Sequence, residues 1–207
     1  MALVKLNNRG VRSATTFGSI TGLGSMVFIK KQTASSSSTI SFVDGTSDVV
    51  LDDTYKEYMF IFKDIHGSDE GGSNLTFNLS VDSGSNYNVA KTSTQFLAEH
   101  LENGTYPSLS YRTGSDLAQG TGFEVIHRAS DFSNADESAC GYIHLFNPSS
   151  TTFVKHYIGR TSSAGAARSH DSFMAGYGNT TSAVDAVQFK NNSGTMDSGT
   201  IKLYGIV

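Results

Sequence analysis

The chain has 207 residues, of which only 16% are charged, and its net charge at pH 7 is −4. It contains 30 serines, 20 threonines and 21 glycines but only 2 prolines and no tryptophan. This polar, weakly charged composition excludes a disordered chain of high charge. No apolar run approaches about 18 residues, which excludes a transmembrane helix. With 38% hydrophobic residues, the chain can form one β-rich domain with a buried core.

The first 43 residues carry five basic residues and no acidic one, whereas the remainder has a net charge of −9. This asymmetry indicates a basic arm that contacts an acidic surface, and a solvated tail explains it equally well. Residues 1–25 show no sustained periodicity, so we expect an extended attachment arm before a domain at 26–207. The arm residues expected to contact a partner are Leu3, Lys5, Leu6, Arg9, Arg12 and Phe17. Their basic members are spaced rather than clustered, so nucleic acid is not the expected partner.

Alternation of apolar and polar residues follows the arm and continues to the C terminus. It predicts strands at 26–31, 39–43, 49–51, 58–62, 75–81, 122–127, 141–146, 153–159, 172–177, 183–190 and 200–206. Residues 58–62 are apolar on both faces, which predicts a central strand, whereas 75–81 should have one face in water. Residues 92–101 combine helix-like apolar spacing with Thr and Ser, so both helix and strand stay open there.

Turn residues at 147–150, with the sequence Asn-Pro-Ser-Ser, are expected to close a hairpin between two of these strands. Many short strands separated by turns are typical of a sandwich. The predicted fold is therefore a single all-β domain, an antiparallel jelly-roll-like β-sandwich with an extended N-terminal arm.

The sequence contains no phosphate-binding loop, nucleophile elbow or zinc-protease motif, so we expect a protein without enzymatic activity or cofactor. His66 stands beside Asp69 and Glu70 in a glycine-rich turn, which favours an exposed loop over a catalytic pair. His144 and His156 flank the predicted hairpin and could approach each other across it. Whether they bind a metal ion stays open, and no residue is assigned as a metal ligand.

Three tyrosines fall in predicted loops, where a sugar ring could stack on them and hydrogen-bond to them. These possible ligand contacts are Tyr87, Tyr106 and Tyr111. Cys140 is the single cysteine, so it excludes an intramolecular disulfide. It starts an apolar strand with no cation nearby, and we expect a buried, unreactive thiol.

Several segments resemble virion surface proteins of marine tailed bacteriophages such as cyanophages and pelagiphages. They are HLFNPSSTTFVKH at 144–156, AGYGNTTSA at 175–183, GTIKLYGI at 199–206, DLAQGTG at 116–122 and the opening MALVKLNNR at 1–9. The resemblance implies a non-enzymatic protein on the virion exterior, made in the host cytoplasm and not inserted in a membrane. It implies no activity and no site.

The resemblance implies either of two places on the particle. One is a capsid decoration or cement protein that its arm attaches to the major capsid protein. The alternative is a tail-fibre or receptor-binding module that contacts a host surface glycan and attaches to a tail protein. A homo-oligomer is expected in both cases, with a trimer favoured.

Overall fold

The structure is a computed structural model that describes residues 26–69, 72–127 and 134–207. The predicted arm at 1–25, with its six expected contact residues, lies outside this part of the chain, and so does Glu70. The described residues contain no helix, and hence none that could span a membrane.

Twelve strands form within the described residues. They are β1 (Met26–Thr33), β2 (Ile40–Val43), β3 (Glu57–Gly67), β4 (Leu75–Ser80), β5 (Lys91–Leu101), β6 (Ser108–Tyr111), β7 (Glu124–His127), β8 (Ser138–Phe146), β9 (Lys155–Gly165), β10 (Arg168–Gly178), β11 (Ala186–Asn191) and β12 (Met196–Ile206).

The strands form two sheets of unequal size. The large sheet has the order β1-β12-β3-β8-β9-β10-β5-β6, and the small sheet has the order β2-β11-β4-β7. Every strand pair is antiparallel. The predicted all-β antiparallel sandwich is therefore confirmed, while its jelly-roll topology stays a prediction.

The core lies between the two sheets and is rich in aromatic side chains. Phe60 on β3 and Phe42 on β2 meet Phe189 on β11 in edge-to-face contacts, with ring centroids 5.2 and 6.2 Å from that of Phe189. Such contacts add about 0.5–1.5 kcal/mol each to the free energy gained by burial. The prediction that residues 58–62 form a central strand is confirmed, because β3 pairs with β12 on one side and β8 on the other.

Several predicted elements differ in the structure. Residues 49–51 form no strand, and β6 was not predicted. Residues 92–101, which the sequence left open, belong to β5, because eleven of its residues pair with β10. The turn at 147–150 connects the antiparallel strands β8 and β9, as expected.

The polar face of β4 does not lie in water as predicted. Thr76, Asn78 and Ser80 are buried together with their apolar neighbours. Backbone carbonyls accept hydrogen bonds from the side chains on this face. Thr76 donates one to Lys190 on the neighbouring strand β11, and Asn78 donates one to Tyr87 in the connection from β4 to β5. Alternation therefore predicted the position of the strand correctly but not the burial of its polar face.

The size difference between the sheets leaves part of the large sheet uncovered. β7 is the edge strand of the small sheet and lies against β9 and β10. Within the described residues no strand of the small sheet lies beyond it. The far half of β5 and its neighbour β6 therefore have an open inner face.

Candidate binding surfaces

The open inner face of the large sheet holds a pocket of about 330 Å³. Its lining residues come from β5, β10 and the chain on both sides of β6. They are Leu97, Glu99, Leu101, Tyr106, Arg112, Arg168 and His170.

Strand register brings the charged side chains of this pocket together. Glu99 on β5 lies opposite His170 on β10, and Leu101 lies opposite Arg168. On its other side, Glu99 lies opposite Ser108 of β6, and Arg112 follows the end of that strand. Antiparallel neighbours on one face have Cβ atoms about 4.5–5.5 Å apart, so these side chains converge on Glu99.

Glu99 is the acceptor for the whole group. Its Oε1 accepts hydrogen bonds from Arg112 Nη2 and Ser108 Oγ, both at 3.1 Å. Its Oε2 lies 3.5 Å from Arg168 Nη1 and 3.3 Å from His170 Nε2. Burial alone would raise the pKa of the Glu99 carboxyl, but these partners outweigh it, and the pKa is lowered.

The group retains an excess of positive charge. Two guanidinium groups share one carboxylate, and the Nε atoms of Arg112 and Arg168 are buried without a hydrogen-bond partner among the described residues. Burial lowers the pKa of His170, so its imidazole is neutral near pH 7. Tyr106 lies exposed at the pocket. This combination suits a ligand that carries hydroxyl groups and an acidic group.

A second surface lies on the opposite, outer face of the large sheet. Register aligns one residue from each of five adjacent strands in a row across β8, β9, β10, β5 and β6. We call this set the outer aromatic row: Tyr142, Arg160, Phe173, Phe96 and Tyr111.

The outer aromatic row is held in place by its own contacts. The rings of Phe96 and Phe173 stack with centroids 4.8 Å apart, and the Arg160 guanidinium lies 4.5 Å from the Phe173 centroid. Arg160 also donates two hydrogen bonds to Asp171, of 2.9 and 2.7 Å. Phe96, Tyr111 and Tyr142 nevertheless remain exposed. The result is a flat, preorganised aromatic platform with one cation.

The three tyrosines predicted as ligand contacts do not form one site. Tyr106 lies at the inner pocket, and Tyr111 belongs to the outer aromatic row. Tyr87 lies in the connection from β4 to β5, where its hydroxyl fills the space that a side chain at Gly84 would need. Alternation indicated sheet positions for some row residues, but no sequence signal linked the pocket residues, which come from separate segments.

The two histidines of the hairpin have other neighbours. His144 Nε2 lies 3.0 Å from a carboxylate oxygen of Glu57, and its ring stacks near Phe146. The ring of His156 lies 6.0 Å from that of Tyr177. The part of the chain that the structure describes contains no group of three or more His, Cys, Asp or Glu that could hold a metal ion.

The prediction that Cys140 is buried is wrong. Alternation along β8 places Ala139 in the core and Cys140 on the exposed outer face. The Cys140 sulfur accepts a hydrogen bond from the Asp64 amide at 3.3 Å. The buried apolar neighbours Ala139 and Ile143 belong to the other face of the same strand, so they say nothing about the burial of Cys140.

No protein-family model, curated protein or solved structure matches this chain. The inner pocket and the outer aromatic row are therefore the features from which a function is argued.

Proposed function

We propose that the chain is a non-enzymatic structural protein on the exterior of a tailed-phage particle, where it decorates or cements the head. The outer aromatic row carries this proposal. Tyr, Phe and Arg are the residue types enriched in protein interfaces, and a flat row of them suits contact with a protein shell. The resemblance of several segments to virion proteins of marine phages supports the same role.

The order of the strands adds support, because we infer a jelly-roll core from it. Without β5, β6, β9 and β10, the sheets read β1-β12-β3-β8 and β2-β11-β4-β7. Each consecutive strand then crosses to the other sheet, except that β4 is followed by its neighbour β7 in the same sheet. Two Greek keys arranged in this way occur in viral capsid and lectin domains. A fold alone does not assign a function, so this is support by analogy.

The four additional strands connect this core to the proposed contact surface. Arg160, Phe173, Phe96 and Tyr111 lie one each on β9, β10, β5 and β6, and only Tyr142 lies on a strand of the inferred core. The strands that widen the large sheet thus supply most of the outer aromatic row. This placement is expected if the additions serve binding rather than folding.

The proposed partners are the major capsid protein and further copies of the chain, in a trimer. The segment at 1–25 would attach to the shell through its apolar and basic residues. It is basic, whereas the rest of the chain is acidic, so only this segment would be attracted to an acidic surface. The outer aromatic row would form the broader contact. A closed ring of three copies would add further buried area.

The alternative role is a tail-fibre or receptor-binding module that contacts a host surface glycan. The inner pocket favours it, since Arg112 and Arg168 can bind an acidic group of a sugar while Tyr106 stacks on the ring. In that case the pocket, rather than the outer face, would carry the biological contact.

Sedimentation with particles that lack the protein tests the main proposal. The full chain should sediment with them, whereas Phe96→Ser combined with Tyr111→Ser should lose at least ten-fold in affinity. Phe153→Ser is the matched control, because Phe153 is even more exposed than Phe96 and Tyr111 but lies in the loop between β8 and β9. If the double variant binds as well as the wild type, the outer aromatic row is not the contact surface. Loss of glycan binding in Arg168→Ala, with sedimentation intact, would support the alternative.

A further inference from the structure

A buried polar group lies where β4 runs past the end of its pairing with β7, apart from both surfaces described above. It consists of Lys91 at the start of β5, Asn78 in β4 and Glu124 in β7, and all three residues are fully buried. Buried charges of this kind cost free energy, so their presence needs a reason.

The amine of Lys91 lies directly against the side-chain amide of Asn78. Lys91 Nζ is 2.5 Å from Asn78 Oδ1 and 2.9 Å from the carbonyl oxygen of Val89. Since a carbonyl bond is about 1.23 Å long, Nζ lies within about 3.7 Å of the Asn78 Cγ atom. Reacting atoms held about 3–3.5 Å apart are already close to an attack geometry.

The amide of Asn78 is held in place from its other end. Its Nδ2 donates hydrogen bonds to the carbonyls of Tyr87, Thr121 and Gly122, at 2.6, 3.0 and 3.3 Å. These bonds fix the amide plane and direct Nδ2 away from Lys91. The electrophilic carbon therefore stays next to the amine.

Glu124 supplies an acid–base group whose charge interacts with that of Lys91. Burial raises the pKa of Glu124 to about 7, against the opposing effects of the Ser93 hydroxyl and the Lys91 charge. Burial also lowers the pKa of Lys91 to about 8, against the charge of Glu124. A neutral amine and a protonated carboxyl are thus accessible together near neutral pH.

We propose that Lys91 and Asn78 are joined by an intramolecular isopeptide bond that forms with the help of Glu124. Lys91 Nζ attacks Asn78 Cγ, a new Nζ–Cγ bond forms, and the Cγ–Nδ2 bond breaks. One proton passes from Nζ to the departing Nδ2 by way of the Glu124 carboxyl, and ammonia leaves. No oxidant and no external reactant is needed.

The bond would cross-link β4 of the small sheet to β5 of the large sheet. β4 and β5 belong to different sheets and share no backbone pairing. A covalent link between them would hold the sandwich together under mechanical or thermal stress. This consequence holds wherever the protein is located, so the inference does not rest on the proposed function.

Mass spectrometry of the intact full chain tests the proposal. The expected mass is about 17 Da below that of the sequence, which corresponds to one molecule of ammonia. Trypsin should fail to cut the unfolded protein after Lys91, which would leave residues 64–112 in one modified peptide. A succinimide elsewhere in the chain gives the same mass loss but leaves Lys91 cleavable.

Three variants complete the test. Lys91→Met should restore the full sequence mass, and Glu124→Gln should reduce the modified fraction at least ten-fold. Lys155→Met is the control and should keep the mass loss, because the equally buried Lys155 contacts only backbone carbonyls. The proposal is overturned if the folded wild-type chain has the unmodified mass and is cut after Lys91, or if the mass loss persists in Lys91→Met. These readouts involve no particle or glycan.

Discussion

Cys140 illustrates how a shift of one residue along a strand decides whether a side chain is buried or exposed. Because Cys140 is exposed and Ala139 is buried, we expect a thiol reagent to label the native wild-type protein. In the control variant, Ala139→Cys combined with Cys140→Ala, labelling should require unfolding. Mass spectrometry after timed labelling measures both rates. Equal rates in the two native proteins would contradict the assigned strand faces.

His127 makes stability depend on pH. Complete burial lowers its pKa to about 3, and the charge of the neighbouring His170 acts in the same direction. In the unfolded chain the histidine pKa is about 6.5, so below this pH the unfolded chain binds a proton that the folded chain does not. The free energy of unfolding should therefore fall as the pH is lowered from 6.5 toward 3.

Replacing His127 isolates this contribution. Glu124 acts in the opposite direction, because its raised pKa makes stability fall as the pH rises from about 4.5 to about 7. The difference between wild type and His127→Phe removes the Glu124 contribution, which both proteins share. Denaturant unfolding at several pH values should give a shallower decline below pH 6.5 in the variant. Parallel curves would show that His127 takes up its proton in the folded state.

Buried polar residues are where the sequence argument was weakest. Lys91, Lys155 and Glu124 are typical surface residue types, yet all three are buried, and Lys91 meets Asn78 of the other sheet. Glu99 and His170 likewise meet only because β5 pairs with β10. Local alternation contains no information about such partners, so neither the pocket nor the buried group of Lys91, Asn78 and Glu124 could be predicted.

At the scale of elements, the turn between β9 and β10 carries backbone strain. Ala166 and Ala167 both have positive φ, of 50° and 55°, and connect the pair formed by Gly165 and Arg168. Two-residue turns of this kind favour Asn and Gly, because a side chain at positive φ costs about 1–2 kcal/mol.

Ala167→Gly should therefore stabilise the protein. Part of the relieved strain is lost to the greater freedom of glycine in the unfolded chain, so we expect a gain of about 0.5–1 kcal/mol. Ala164→Gly is the matched control and should destabilise by a similar amount, because Ala164 lies in the regular part of β9. Thermal and denaturant unfolding measure both changes. A loss of stability in Ala167→Gly would mean that this turn is not left-handed.

Strands were predicted best where one face is apolar and the other polar, as in β4 and β12. The sequence could not decide the conformation of residues 92–101, because Phe96, Leu97 and Leu101 fit a helix as well as a strand. Pairing with β10 and β6 on either side settles it, and Phe96 faces outward against Phe173 while Leu97 enters the core. Pairing with the neighbouring strands thus decides the conformation of residues 92–101, and the spacing of their apolar residues does not.

At the scale of the whole molecule, the described domain is expected to fold without residues 1–25. The core that the structure describes runs from Ala34 to Leu203, and β1 starts at Met26. Deleting 1–25 should change the melting temperature by only a few degrees, as measured by circular dichroism, but should abolish sedimentation with particles. If the shortened chain does not fold, residues 1–25 belong to the domain; if it still binds particles fully, they are not the attachment arm.

Counting the copies of the protein in purified particles tests whether it belongs to the exterior of a phage particle. Quantitative mass spectrometry against the major capsid protein gives that number, and surface labelling of intact particles shows whether Cys140 is accessible. We expect on the order of hundreds of copies per particle, as for a decoration protein that follows the symmetry of the shell. A few copies per particle would support the tail-fibre alternative. Absence of the protein from purified, infectious particles would contradict both.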